Sequence, residues 1–325
     1  MGSKIVGLGM QVPDKKISNH DLEKMVDTTD KWIVERTGIK NRRISDPGAA
    51  NSDMALAASQ KALADARVSA EEIDLILLGT CSPVMALPST ACFLQSKLGA
   101  SNAWAMDVVA ACSGFLYSLS MADSQIRVGR AKKALVIGSE MLSSFLDYTD
   151  RSTCILFGDG AGAAVIAECD DNDGLLACHM QSDGNLWELI HIPAPGTINP
   201  LTPDLISSKM IYLRMMGNET FKHAVTKMCE VCHKVLSMSG YDIDDVNLLV
   251  PHQANERIIT AIGKRLGITG DRVFINLDQY GNTSAASIPL ALTEAKAQRR
   301  FCAGDLVLLV AFGAGLTWGA ALLRM

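Results

Sequence analysis

The chain has 325 residues, long enough to bury a sizeable core as one large domain or two ordinary ones. Hydrophobic residues make up 48% and charged residues 20%, a globular composition, and no apolar run approaches the roughly 20 residues that span a bilayer. The net charge of −5 argues against a nucleic-acid binder, and nine irregularly spaced cysteines behind an N-terminus without signal-peptide character read as reduced thiols of a cytoplasmic protein.

The first periodic stretch, SDMALAASQKALADA, reads as a helix, and the acidic turn and apolar run of EEIDLILLGT follow as a buried strand. The segment WAMDVVAACSGFLYSLSMADSQIRVGRAKKALVIGSE then reads strand, tight turn, long helix, basic turn, strand. GDGAGAAV after ILF superficially matches a dinucleotide loop. It lacks G-x-G-x-x-G and strand residues follow, so a nicotinamide cofactor is set aside. ECDDNDG reads as a loop and sets the division into two halves, residues 1–170 and 171–325.

Beyond that loop the pattern repeats. FKHAVTKMCEVCHKVLSMSG runs into DIDDVNLLVPHQ as helix, acidic turn and strand. RVFINLDQYGNTSAASIPLALTEAKAQRRFCAGDLVLLVAFG repeats the strand–turn–helix–strand unit. In this alignment Cys112 of ACSG stands opposite Asn282 of GNTS. The class is α/β, with two duplicated halves packed as one unit.

Cys112 falls at a helix N-terminus, where free N–H groups and the helix dipole favour a thiolate and are expected to lower its pKa. Its position suits a nucleophile or a small core cysteine. His252 lies at the C-terminal edge of a strand, where α/β sheets place ligands, and suits a structural loop histidine equally well. Asn282 by itself most resembles a helix cap or turn former. Gly313 and Gly315 follow the last long strand and would let a backbone N–H approach a reacting carbonyl. CEVCH, residues 229–233, matches redox and haem-attachment patterns. Both cysteines share an apolar helical stripe with Phe221, Val225, Met228, Val235 and Leu236, so they read as core.

Taken in order, DKWIVERTGIKNRRI, PSTAC, ACSGFLYSL, DRST, FGDGAGAAV, PHQAN, YGNTSAASIP and FGAGLTWGAAL closely resemble the β-ketoacyl-acyl-carrier-protein synthase III family, the initiating condensing enzymes of type II fatty acid synthesis. The resemblance implies the thiolase fold, five layers α-β-α-β-α, and a homodimer. It implies that Cys112 takes the acyl group from an acyl-CoA. His252 and Asn282 would hold the thioester oxygen of malonyl-acyl-carrier protein while CO₂ leaves, and the backbone N–H groups of Cys112 and Ala314 would form the oxyanion hole. It further implies Thr28, Trp32, Arg36, Arg151 and Asn255 as CoA-binding, and Leu87 and Leu142 as acyl-pocket residues. Lys222, Arg257, Lys264 and Arg265 would receive the acidic carrier protein. No cofactor, metal, nucleic acid or membrane is implied.

The chemistry fits these residue types. Decarboxylation puts charge on a thioester oxygen, and two fixed donors in a dry pocket suit that step; losing one costs about 2.7–4 kcal/mol in comparable sites. Elongating synthases pair Cys with two histidines, which the Asn of GNT opposes. Hydroxymethylglutaryl-CoA synthases carry a catalytic Glu where this chain has Cys81. A secondary-metabolite ketosynthase of the same branch and a non-catalytic paralogue are the remaining rivals. Gly313-Ala314-Gly315 stands where many relatives have three glycines, and Leu87 where many have Phe, so the motifs do not fix primer length.

Overall fold

A computed structural model describes residues 2–170 and 173–325. The first half runs β1 (Gly2–Gln11), α1 (Asp30–Thr37), α2 (Asn51–Ala66), β2 (Leu75–Gly79), α3 (Thr90–Leu98), β3 (Trp104–Val108), α4 (Gly114–Arg127), β4 (Lys133–Glu140) and β5 (Gly160–Cys169). The second runs β6 (Gly174–Ser182), α5 (Gly217–Ser239), β7 (Leu248–Pro251), α6 (Glu256–Leu266), α7 (Ser287–Ala297), β8 (Leu306–Gly313) and β9 (Thr317–Arg324). The expected division at 170 falls on the β5–β6 connection, where Asp171 and Asn172 lie outside the described residues.

The first half's sheet has the order β1-β5-β4-β2-β3 and the second half's has β7-β8-β9-β6. β2 and β4 pair in parallel, as do β7 and β8; β4 and β5 pair antiparallel, as do β8 and β9. One sequence offset carries Ala70 onto Ile243, Leu75 onto Leu248, Ala111 onto Ser284, Gly114 onto Ser287 and Lys133 onto Leu306, each the first residue of an element. This register corrects the repeat read from sequence: Cys112 aligns with Ala285, and Asn282 with Val109. The likeness of ACSG to GNTS follows turn-forming residue types. The true register is set by a backbone kink, a left-handed residue at Ala111 (φ 46°) and at Ser284 (φ 49°).

The continuous apolar strands are buried on both faces, as their lack of alternation predicts. In β2, Leu75 and Leu77 face a central layer with Phe115 and Leu116 of α4 and Ile288 and Leu292 of α7. Ile76 and Leu78 face outward onto Ala58 and Leu94 of α2 and α3. In β8, Val307, Leu309 and Ala311 face the same centre, while Leu308 and Val310 pack on Val231 and Ile262 of α5 and α6. The result is five layers, α-β-α-β-α, with α4 and α7 as the shared middle. Each Leu so enclosed contributes about 1.5–3 kcal/mol relative to exposure. No helix of the described residues is long and apolar enough to cross a membrane.

The middle layer is tight because its helices start where the strands have no side chain. A methyl added at Gly138 of β4 would lie 2.1 Å from the Ala285 carbonyl oxygen, a backbone atom that cannot step aside. Gly138→Ala is therefore expected to lower stability by about 1–3 kcal/mol, as overpacking does. Scanning calorimetry reads this as a lower Tm, and an unchanged Tm would disprove the contact's importance.

Candidate active site

In each half a 3₁₀ turn leads the chain directly into a central helix. Cys112 sits on a 3₁₀ turn, Ala111–Ser113, that leads directly into α4. Its counterpart, Ser284–Ala286, leads into α7. Each turn rests on the other half's strand end. The β8 end meets Cys112, where a methyl at Gly313 would stand 2.6 Å from the Cys112 backbone nitrogen. The β4 end meets Ser284, whose hydroxyl donates to Glu140 Oε1 at 3.0 Å.

His252 follows the last residue of β7, and its backbone N–H donates to the Val310 carbonyl at 2.8 Å. Its ring Nδ1 lies 2.7 Å from Ser287 Oγ on the first turn of α7. The Gln253 N–H donates to that same hydroxyl oxygen at 3.4 Å, leaving the hydroxyl proton for Nδ1. On this network we assign the proton of His252 to Nε2, as a hydrogen-bond donor. Burial pushes the imidazole pKa down to about 3, so the ring is neutral at pH 7.

Asn282 is held from both backbone sides. Its N–H donates to Leu156 O at 2.8 Å and its carbonyl accepts from Gly158 N at 3.0 Å. The buried Arg42 braces the same loop by donating to Ile155 O at 2.5 Å and Asn19 Oδ1 at 2.7 Å. The side-chain Oδ1 of Asn282 accepts the Ser284 N–H at 2.8 Å, the turn-capping role that its sequence context suggests. With Oδ1 engaged, the amide orientation is fixed and Nδ2 remains as a donor.

Cys112, His252 and Asn282 line one cavity of about 710 Å³. Its walls include Ile155, Leu156, Phe157, Met215, Met228 and Phe312. At the mouth Trp32 lies under two guanidiniums, Arg36 at 4.9 Å and Arg151 at 5.1 Å from the ring centre. Arg151 also donates to Asp27 O at 2.9 Å. Thr28 Oγ1, close by in sequence, is buried without a partner. Asn255 lines the cavity, but its amide is engaged at both ends, by Arg257 N at 2.9 Å and Arg36 O at 3.0 Å. Lys222 and Arg257 line the mouth, and Lys264 lines an adjoining groove with Arg257. Arg265 is exposed beside them.

Other expected residues lie elsewhere. Leu142 is buried in the cluster around Leu22 and Ile33, and Leu87 is 83% exposed; neither is among the residues lining this chain's cavity. Ala314 follows Gly313, and its carbonyl accepts from Thr317 Oγ1 at 3.0 Å. Cys229 and Cys232 are core residues.

The expected lowering of the Cys112 pKa is corrected. Burial pushes the thiol up to about 12, against a lowering hydrogen bond from Ser284 and with further raising by Glu140. Desolvation of the anion is the largest of these causes. Sequence reasoning also missed Glu140. It ends a strand that is buried along nearly its whole length, and a carboxylate closing the apolar run ALVIGSE was the available signal.

With its folded pKa below the ordinary 6.5, His252 contributes stability above pH 6.5 that is lost as pH falls toward about 3. Nitrogen-15 NMR of labelled imidazoles should show a His252 resonance that stays in the neutral, Nε2–H form from pH 8 down to about pH 5. A ring titrating near the ordinary His value would overturn the assignment.

Residues 236–325 match the family model of the 3-oxoacyl-[acyl-carrier-protein] synthase III C terminal, and residues 106–184 that of 3-oxoacyl-[acyl-carrier-protein] synthase III. The β-ketoacyl-[acyl-carrier-protein] synthase III of Roseiflexus castenholzii is 49% identical over 320 residues, 98% of this chain and 97% of the relative. The crystal structure of the Aquifex aeolicus 3-oxoacyl-[acyl-carrier-protein] synthase III is 48% identical, with a TM-score of 0.93 and 100% of both chains covered. A priming β-ketosynthase from a polyketide pathway gives a TM-score of 0.93 at 33% identity, covering 99% of this chain and 96% of its own. Agreement of sequence and structure over the whole length means that the chain belongs to the β-ketoacyl-[acyl-carrier-protein] synthase III family and has its thiolase fold.

Proposed function

We propose that this chain joins an acyl-CoA primer to malonyl-acyl-carrier protein through an acyl-Cys112 intermediate. As a member of its family it is an acyltransferase, the initiating condensing enzyme of fatty acid synthesis. The observation that carries the residue roles is the convergence of Cys112, His252 and Asn282, from three distant segments, on one cavity.

In the first step the Cys112 sulfur attacks the thioester carbonyl, the oxyanion rests on the Cys112 and Ala314 N–H groups, and CoA leaves. In the second, His252 Nε2–H and Asn282 Nδ2–H donate to the malonyl thioester oxygen, CO₂ departs, and the carbanion attacks acyl-Cys112. A neutral imidazole suits this role, because it donates without transferring its proton. Trp32, Arg36 and Arg151 suit the adenine and phosphates of CoA, with Thr28 and Asn255 beside them. Lys222 and Arg257 at the same mouth, with the exposed Lys264 and Arg265 beyond them, suit the acidic carrier protein. The reading calls for no resident cofactor.

It also makes the enzyme a cytoplasmic homodimer. β3 is an edge strand, and near it Trp104, Val109 and Leu87 expose apolar surface. Pairing of two such edges would cover that surface and bring Leu87 toward the partner's acyl pocket.

Intact-mass measurement after incubation with a panel of acyl-CoAs should show one acyl adduct on the wild type and none on Cys112→Ala; an adduct on the variant would sink the assignment. His252→Ala and Asn282→Ala should still acylate but lose about 10²–10³ in malonyl decarboxylation, read as released ¹⁴CO₂. Because both donors serve one charge, the double variant should fall well short of the product of the two losses. Charge reversal in Arg257→Glu should raise KM for the malonyl-carrier protein and leave self-acylation intact. Wild-type KM should rise with salt, and a salt-independent KM would discount the basic patch.

A further inference from the structure

The Cys112 thiol must lose a proton before it attacks, and the neutral His252 is already committed to Ser287 through Nδ1. Behind Cys112 lies the fully buried Glu140. Its Oε2 accepts from Thr80 Oγ1 at 3.2 Å, Cys81 N at 3.0 Å and Ser82 Oγ at 2.6 Å. Its Oε1 accepts from Ser284 Oγ at 3.0 Å. Ser284 opens the turn packed against the turn of Cys112, and hydrogen bonding by Ser284 favours the Cys112 thiolate. Ser284 Oγ is therefore the group shared between Cys112 Sγ and Glu140 Oε1.

We infer that Glu140, acting through the Ser284 hydroxyl, takes the Cys112 proton when the enzyme is acylated and returns it when the carbon–carbon bond forms. The inference rests on Cys112 being the acylated residue. In the first half-reaction Sγ–H passes its proton to Ser284 Oγ as Ser284 passes its own to Glu140 Oε1. The sulfur electron pair forms the new C–S bond to the acyl carbon. The C–S bond to CoA breaks, and its electrons leave with the CoA thiolate, which is protonated by solvent. In the second, the bond to the malonyl carboxylate breaks and CO₂ leaves. The carbanion pair then forms the new C–C bond, and the Cys112–acyl bond breaks with its electrons returning to sulfur. Glu140 then gives its proton back through Ser284, restoring thiol and carboxylate. Glu140 is a positioning residue for that proton; the reacting atom is Cys112 Sγ.

The surroundings of Glu140 suit a group that changes charge at neutral pH. Burial pushes its pKa up to about 7, against the lowering effect of its hydrogen bonds from Ser82, Cys81, Ser284 and Thr80. The titratable groups that feel its charge are Cys81, at the end of β2, and Cys112, on the turn before α4. Burial raises both thiols, so neither competes as an anion near pH 7. A base with a pKa near the working pH is the most effective for transient proton transfer.

The test is the rate of Cys112 acylation by acetyl-CoA, quenched and read by intact mass between pH 5.5 and 8.5. The wild-type rate should rise with pH through an inflection near 7. Glu140→Gln keeps the shape but takes no proton; it should acylate about 10²-fold or more slowly and lose the inflection. Ser284→Ala removes the shared hydroxyl and should do the same with the carboxyl still present. If Glu140 acted only as a nearby negative charge, its removal would ease thiolate formation and Glu140→Gln would acylate faster, which overturns the inference. Wild-type acylation rates in Ser284→Ala would also overturn it, and that variant decides alone if Glu140→Gln does not fold. Should Cys112→Ala still be acylated, the underlying reading fails instead.

Discussion

The site depends on one reciprocal packing arrangement. Each half carries a 3₁₀ turn with a left-handed non-glycine residue, Ala111 or Ser284, and each turn is pressed onto the end of the other half's strand. Such backbone conformations cost about 1–3 kcal/mol each and persist only where surrounding structure over-determines them. Here the central layer does so: α4 and α7 follow these turns, and their burial between two sheets leaves the turns nowhere else to go. Neither half could hold its own turn alone, so the pocket exists only when both halves are folded against each other.

Duplication supplied two equivalent frames, and the chemistry comes from filling equivalent positions differently. Cys112 corresponds to Ala285, so one turn carries a sulfur and the other a methyl. His252 corresponds to Gly79, so one strand end carries a donor and the other admits the start of α4. Glu140 corresponds to Gly313, so one strand end presents a carboxylate to the opposite turn, and the other lets the backbone close on Cys112 N. A symmetric pair of folds thereby encloses an asymmetric set of functional groups.

The same enclosure drives those groups toward their neutral forms. Burial raises Cys112 and Glu140 and lowers His252, all by removing water from the charged state. A pocket that desolvates its groups in this way strengthens any hydrogen bond made to charge that appears during reaction. It also works against a resting thiolate, which is why proton placement matters as much as nucleophile placement. Away from this base the cavity changes character, and its mouth carries exposed cations around Trp32 and along α6.

The sequence by itself determined the α/β class, the two similar halves and the burial of the strands. Continuous runs such as LILLG and LVLLVAFG need cover on both faces, and helices of matching period were there to provide it. Its ordered motifs also marked Cys112, His252 and Asn282. It did not determine the repeat register, the state of the Cys112 thiol or the burial of Glu140 beside it. Residue types alone aligned Cys112 with Asn282, whereas the backbone kinks at Ala111 and Ser284 align it with Ala285. A helix start promised a lowered thiol pKa, but desolvation is a property of everything packed around the sulfur. Motifs such as KNRRI and FGDGAG were visible as strings. Only the fold shows that Arg42, Leu156 and Gly158 meet there to fix Asn282, because hydrogen bonds between residues more than a hundred positions apart leave no periodic trace in the chain.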